Sequence, residues 1–309
     1  MNVNVTDNTN SRASAAALGF FDGLHIGHQA VIGVAVSEAR EQGLSPAVFT
    51  FSGKPGLPKF GGRQDTALIT FDEKLSLMGS IGAEFICAAD FDEVRELTPE
   101  EFFDGYIVDR LNAQVVVCGE DFRFGRGGKA GITELRGLCD TRGKQLITVP
   151  PICEDGVPVS STRIRELIRS SDVGQASWLL GRWFSYTLPV LHGRKLGRTI
   201  GFPTINQKIP EFMVRPKHGV YASFAYVFGR EYQAITDIGV KPTVQSAGEE
   251  IMETHIIGFD GDIYGENVKV ALRYYIRGEE RFSGLEELKA QLEKDRNAST
   301  DEVFIRLMS

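Results

Sequence analysis

Two histidines flank a glycine at His25-Ile26-Gly27-His28, where a strand gives way to a helix. Ala15 to Phe20 is short and apolar, while Gln29 to Gln42 sets apolar residues at Val31, Val34, Ala35 and Ala39 and stops at Gly43. At such a junction the first helical N–H groups are unpaired and the helix dipole favours negative charge, so the turn suits a phosphate. Gly27 permits close approach, and imidazoles three residues apart share one face of the first turn. Both can then donate to phosphate oxygens as charge develops in a displacement. On spacing alone the pair also reads as a cap or a surface feature. Zinc fits poorly, because His192, His218 and His255 offer no third ligand at sensible spacing and Cys87, Cys118, Cys139 and Cys153 form no Cys-x-x-Cys pair.

The string resembles a signature of the nucleotidyltransferase and class I tRNA synthetase superfamily, in which the α-phosphate of ATP is attacked and pyrophosphate leaves. A second signature then belongs downstream, and Val159-Ser160-Ser161-Thr162-Arg163-Ile164-Arg165 fills that place. Its hydroxyls open a helix and supply phosphate contacts, and its arginines supply charge for pyrophosphate. Alone, the run is a well-capped amphipathic helix.

With 309 residues the chain is long for one core and comfortable for two. Its 42% hydrophobic and 24% charged residues suit a soluble protein, and no stretch of 18 apolar residues could span a bilayer. Met1 to Arg12 lacks the apolar region of a signal peptide, and the cysteines fit a reducing compartment, so a cytoplasmic location is expected. A formal charge of −7 argues against extended contact with an anionic polymer, so no nucleic-acid partner is expected and the synthetase reading recedes.

Up to about residue 182, strands alternate with helices. Thr70-Phe71-Asp72-Glu73 and Thr98-Pro99-Glu100-Glu101 are capping boxes, the first opening a helix through Met78 and the second a helix ending near Leu111. Ala83 to Ala88, Gln114 to Cys118 and Gln145 to Val149 read as buried strands, Ile132 to Thr141 as a helix and Ser52 to Asp65 as a loop. This pattern predicts a parallel sheet with ligands at the carboxyl ends of its strands. From Ser185 the period becomes two, with strands expected at Ser185 to His192, Gly219 to Phe228, Tyr232 to Gly239, Glu253 to Phe259 and Asn267 to Ile276. A barrel or sandwich follows, closed by a helix that Ser283-Gly284-Leu285-Glu286 would cap. Leu285, Leu288 and Leu292 form its apolar face. The expected boundary separates residues 13–182 from 183–309.

The second half opens with His192-Gly193-Arg194-Lys195-Leu196-Gly197-Arg198-Thr199-Ile200-Gly201-Phe202-Pro203-Thr204-Ile205-Asn206. Glycines at four-residue spacing with cations between them can fold over phosphates or simply form turns. The full string resembles the riboflavin kinase motif. His218-Gly219-Val220-Tyr221, Asp237-Ile238-Gly239-Val240-Lys241-Pro242-Thr243 and Glu253-Thr254-His255 match that family in order, and Cys118-Gly119-Glu120-Asp121-Phe122-Arg123-Phe124-Gly125 matches in the first half.

Together the halves look like the bacterial bifunctional riboflavin kinase/FMN adenylyltransferase family, often called FAD synthetase. The resemblance implies a Rossmann-type α/β nucleotidyltransferase domain, then an all-β barrel kinase domain with a C-terminal helix. It implies ATP, riboflavin and FMN as small-molecule substrates and Mg2+ as cofactor. His25, His28 and Gly27 would meet ATP phosphates, Asp121 nucleotide and flavin, and Ser160, Ser161, Thr162 and Arg165 would complete that site. Gly193, Lys195, Gly197 and Arg198 would bind ATP in the kinase half, Thr204 and Asn206 magnesium, Asn206 and Glu253 flavin, with Glu253 as base.

Two departures stand out. The family usually shows an acidic residue and then Pro-His-Pro after the second strand; here Phe51-Ser52-Gly53-Lys54-Pro55 puts Lys54 at the histidine's place, where it can face phosphate only as a point charge. Asp237 replaces a usual asparagine. A kinase whose first half merely binds nucleotide, and a flavin-binding protein without catalysis, are the competing readings.

Overall fold

A computed structural model describes residues 4–5, 9–52, 67–193, 201–243, 246–280 and 282–300. Lys54, Lys195, Gly197 and Arg198, and most of the loop expected over Ser52 to Asp65, lie outside them. The chain forms two compact units, Met1–Ser161 and Thr162–Ser309.

In the first unit, strands β1 (Asn4–Val5), β2 (Ser14–Leu18), β3 (Ser45–Phe51), β4 (Phe85–Ala89), β5 (Ala113–Gly119) and β6 (Gln145–Val149) pair in parallel in the order β1-β4-β3-β2-β5-β6. Helices α1 (Ile26–Gln42), α2 (Phe71–Ile81), α3 (Phe91–Val94), α4 (Pro99–Phe102) and α5 (Ile132–Thr141) lie between them. Both faces of the sheet are covered, so alternate residues of one strand enter different cores. Ala15, Ala17, Val115 and Val117 pack with Ile32 and Val36 of α1, while Ala16, Leu18, Val116 and Cys118 pack with Phe102, Phe103 and Ile107. β2 is the centre strand, and Leu18 stands beside Phe49 on one side and Cys118 on the other. The chain leaves β2 towards β3 and β4 on one side and returns through β5 and β6 on the other, so the carboxyl end of β2 is a topological switch point.

One helix was expected from Pro99 to near Leu111; the structure has instead the short α4, capped reciprocally by Thr98 and Glu101, followed by a π-helical stretch over Phe103–Arg110. A short hairpin, β7 (Cys153–Glu154) and β8 (Val157–Pro158), also escaped the apolar pattern because its residues are largely exposed.

The second unit begins with the rest of α6 (Ser161–Arg169) and α7 (Val173–Leu180), then six strands: β9 (Ser185–Pro189), β10 (Thr204–Lys208), β11 (Gly219–Val227), β12 (Arg230–Thr243), β13 (Ser246–Ile256) and β14 (Asn267–Arg277). The second unit therefore begins 23 residues before the change of period at Ser185. The reason lies in α7, which packs on β14 and whose Ser177 hydroxyl accepts from Phe184 N at 2.9 Å. The strands are antiparallel in the order β10-β13-β12-β11-β14-β9. A bridge between Leu191 and Asn206 brings the two sheet edges together, which makes the sheet a near-barrel. Its interior holds Tyr186, Ile238, Met252 and Leu272, with a buried hydroxyl ladder from Ser223 through Thr236 to Thr254.

β10 was not expected, because a strand reading Thr-Ile-Asn-Gln-Lys lacks apolar alternation. Buried Gln207 explains it, its amide donating to the carbonyls of Leu188 and Val268 at 2.6 and 2.8 Å. Helix α8 (Leu285–Thr300) packs against β11, β12 and β14. Its cap lies one residue later than expected: Ser283 N and Oγ both donate to Glu287, not Glu286, because Gly284 takes the N-cap position.

Candidate active sites

In the first unit the chain leaves β2 through a turn that contains two non-glycine residues in the left-handed region, Phe21 (φ 53°) and Leu24 (φ 43°). Four fasteners hold it. Thr50 Oγ1 and Lys74 Nζ donate to Phe20 O at 2.9 and 3.0 Å, Gln29 Nε2 donates to Leu24 O at 2.8 Å, and Asp22 accepts from Leu68 N at 3.1 Å. Gly23 takes φ 76°, a left-handed conformation that favours glycine, and a Cβ there would also lie 2.5 Å from Leu68 Cδ1.

The turn delivers His25 as the N-cap of α1. Its ring is buried, and Nδ1 accepts from His28 N at 3.3 Å. The two imidazoles stack with centroids 3.5 Å apart and 20° between planes, and Phe21 meets His28 edge-on. A Cβ at Gly27 would come within 3.2 Å of the His25 ring, so the glycine keeps the helix mouth open. The helix starts at Ile26, so His25 is its N-cap and His28 lies in its first turn, as their spacing implies.

Ser161, the first residue of α6 and the last of the first unit, donates its hydroxyl to Asp22 O in the turn at 2.9 Å. Ser160 precedes it, half-buried. Thr162 and Arg165 follow in α6 and fall in the second compact unit, Arg165 being buried. Asp121 is exposed just past β5, its carboxylate over Gly119, where a Cβ would lie 2.8 Å from Oδ1. Lys74, a buried cation in this unit, belongs to none of the sequence motifs. The available signal was its place four residues before Met78 on the buried face of α2.

In the second unit the strand register builds the site. Asn206 of β10 stands opposite Glu253 of β13, and Glu253 stands opposite Asp237 of β12, so an amide and two carboxylates form a row on one face. The neighbouring positions Met252 and Thr254 point into the barrel and are buried, which leaves Glu253 half-buried on the other face. Thr204 lies two residues before Asn206 on that face and borders a cavity of about 490 Å3 lined also by Val190, Phe259, Asp260, Asp262 and Tyr264. Gly193 lies against the Asn206 amide: a Cβ there would be 2.3 Å from Nδ2.

His255, in sequence only the last residue of the Glu253-Thr254-His255 match, braces this site. Opposite Thr204 in register, its Nδ1 bonds Pro203 O at 2.8 Å, and burial pushes its pKa down, which favours the neutral ring that donates there. The helix α8 is anchored behind by an Arg277–Asp295 pair, with Asp295 1% exposed and bonded in two places, at 3.0 and 2.7 Å.

The geometry has counterparts. The FAD synthetase family model matches residues 7–163 and the riboflavin kinase family model residues 180–303. A bifunctional riboflavin kinase/FMN adenylyltransferase of Bacillus subtilis is 38% identical, covering 92% of this chain and 90% of its own. That of Escherichia coli K12 is 34% identical, covering 90% and 89%. A crystal structure described as a macrolide-efflux protein from Streptococcus pneumoniae superposes with TM-score 0.83 at 32% identity, covering 96% of each chain. Among the described residues no helix is long and apolar enough to cross a membrane. With both family models matched in order and relatives of this identity spanning nine-tenths of it, the chain belongs to the family of bifunctional riboflavin kinase/FMN adenylyltransferases.

Proposed function

We infer that the chain phosphorylates riboflavin to FMN with ATP in its second half and adenylates FMN to FAD, with release of pyrophosphate, in its first. The observation that carries this reading is the pairing of two independent constellations in the family's order: the capped histidine pair at the switch point of the parallel sheet, and the Asn206–Glu253 register of the barrel. Residues 13–182 are assigned to adenylyl transfer and 183–309 to the kinase step, a functional division that need not coincide with the compact units.

In the kinase step the 5′-hydroxyl of riboflavin attacks the γ-phosphate, the bond to the β-phosphate breaks and ADP leaves, and Glu253 takes the hydroxyl's proton. Asn206, directly opposite, orients the flavin chain. The hydroxyl of Thr204, which borders the cavity, and the amide oxygen of Asn206 are hard oxygen donors two residues apart on one strand face, a set that suits a cation keeping most of its waters. Mg2+ held there would neutralise the polyphosphate. The glycine-rich segment from Gly193 through Lys195, Gly197 and Arg198 supplies amides and cations to the nucleotide.

In the adenylyl step the FMN phosphate attacks the α-phosphate of a second ATP. His25 and His28 donate to the developing charge, Gly27 leaves room for it, and the helix mouth adds its dipole. Ser160, Ser161, Thr162 and Arg165 receive pyrophosphate, Asp121 contacts nucleotide and flavin, and Lys54 offers a point charge to the triphosphate. Both steps consume ATP, which fits a cytoplasmic location. Supplying FMN with α-labelled ATP tests the first half by itself: label in FAD supports the assignment, and FMN left unconverted would reduce the chain to a kinase.

A further inference from the structure

Lys74 is 5% exposed on α2, yet it carries an ammonium. Its Nζ donates to the carbonyls of Phe20 at 3.0 Å and Phe51 at 3.1 Å, and stands 5.1 Å from the Phe20 ring centroid. Phe51 closes β3 and Phe20 lies just past the end of β2, where the sheet's own hydrogen bonds run out. Phe20 also opens the turn in which Phe21 and Leu24 are left-handed, a conformation that persists only where its surroundings over-determine it. A buried ammonium is costly, and a methionine here would pack with Met78 without that penalty. Stability alone therefore does not account for the lysine. What its charge does is close two adjacent strand ends at the mouth of α1.

We propose that Lys74 is a positioning residue for adenylyl transfer, its ammonium locking the Phe20–Leu24 turn so that His25 and His28 face the nucleotide phosphates. The proposal rests on the first half being the adenylyltransferase. Burial pushes the Lys74 pKa down to about 8, with Asp22 of the turn raising it in opposition. The elements around it otherwise present the Thr50 hydroxyl, the two carbonyls and the Phe20 and Phe71 rings. The lock is thus charged below pH 8 and weakens as pH rises through that value; a bound polyanion strengthens it.

The test uses the full chain and follows kcat/KM for FAD formation from FMN and ATP between pH 6.5 and 9.5, with riboflavin phosphorylation measured on the same samples. The wild type should lose FAD-forming kcat/KM above pH 8, approaching about tenfold per unit, with no matching limb in the kinase step. Lys74→Met should lower it about 10- to 100-fold at pH 7 and flatten the profile. Lys74→Arg, whose charge does not titrate, should recover part of the activity and remove the limb. Near wild-type activity of Lys74→Met at pH 7, or a wild-type profile flat from pH 7 to 9, overturns the proposal. If Lys74→Met does not fold, the wild-type profile decides alone. No FAD formation at any pH would instead sink the adenylyltransferase reading, and the proposal with it.

Discussion

Gly193→Ala isolates the kinase site with a single methyl group. Gly193 does not have positive φ, so alanine is no burden to the backbone there. The conflict is steric: the new Cβ would lie 2.3 Å from Asn206 Nδ2 and 2.8 Å from its Cγ, against ordinary contacts of 3.4–4 Å. Asn206 cannot retreat through its backbone, because its carbonyl accepts from Leu191 N at 2.7 Å and its strand is registered on Glu253. The amide must therefore turn away by roughly 1 Å, a misplacement that costs about 100-fold in rate, or about 2.7 kcal/mol. Riboflavin phosphorylation under varied MgATP and riboflavin would read this as a fall in kcat/KM, with FAD formation from supplied FMN unchanged. A Gly193→Ala enzyme that phosphorylates riboflavin within twofold of wild type would show that the Asn206 amide is not part of the kinase machinery.

Glu253→Gln should lower FMN formation by about 10²–10⁴ while FAD formation from FMN persists; equal loss of both activities would contradict independent sites. His28→Ala should do the reverse, costing the adenylyl step about 3–4 kcal/mol, read as turnover of FMN with ATP. Asp295→Ala removes the buried partner of the half-buried Arg277 guanidinium behind α8, so unfolding of the second unit should be easier by about 1.5–3 kcal/mol; an unchanged melt would mean that the pair does not anchor the helix.

The candidate site residues were legible wherever they sit in contiguous strings. His25 to His28, the hydroxyl run before Arg165 and the Gly-Phe-Pro-Thr segment could be read directly, and the alternation of periods foretold a parallel sheet followed by an antiparallel one. What escaped depends on contacts between distant segments. β10 is a strand because Gln207 satisfies two carbonyls inside the barrel, which no local pattern announces. Lys74 looks like an exposed helix lysine until its two carbonyl partners, 54 and 23 residues away, are seen. The cap of α8 moved by one residue because Ser283 and Gly284 compete for the same role. The compact boundary lies ahead of the period change because helix α7 declares its own type but not the sheet on which it packs.

The most direct measurement follows one reaction started with riboflavin, ATP and Mg2+, resolving flavins by chromatography and counting pyrophosphate. FMN should rise first and then give way to FAD, with one pyrophosphate released per FAD formed. Flavin that binds without ATP consumption, or FMN that accumulates with no FAD and no pyrophosphate, would contradict a chain that carries both activities.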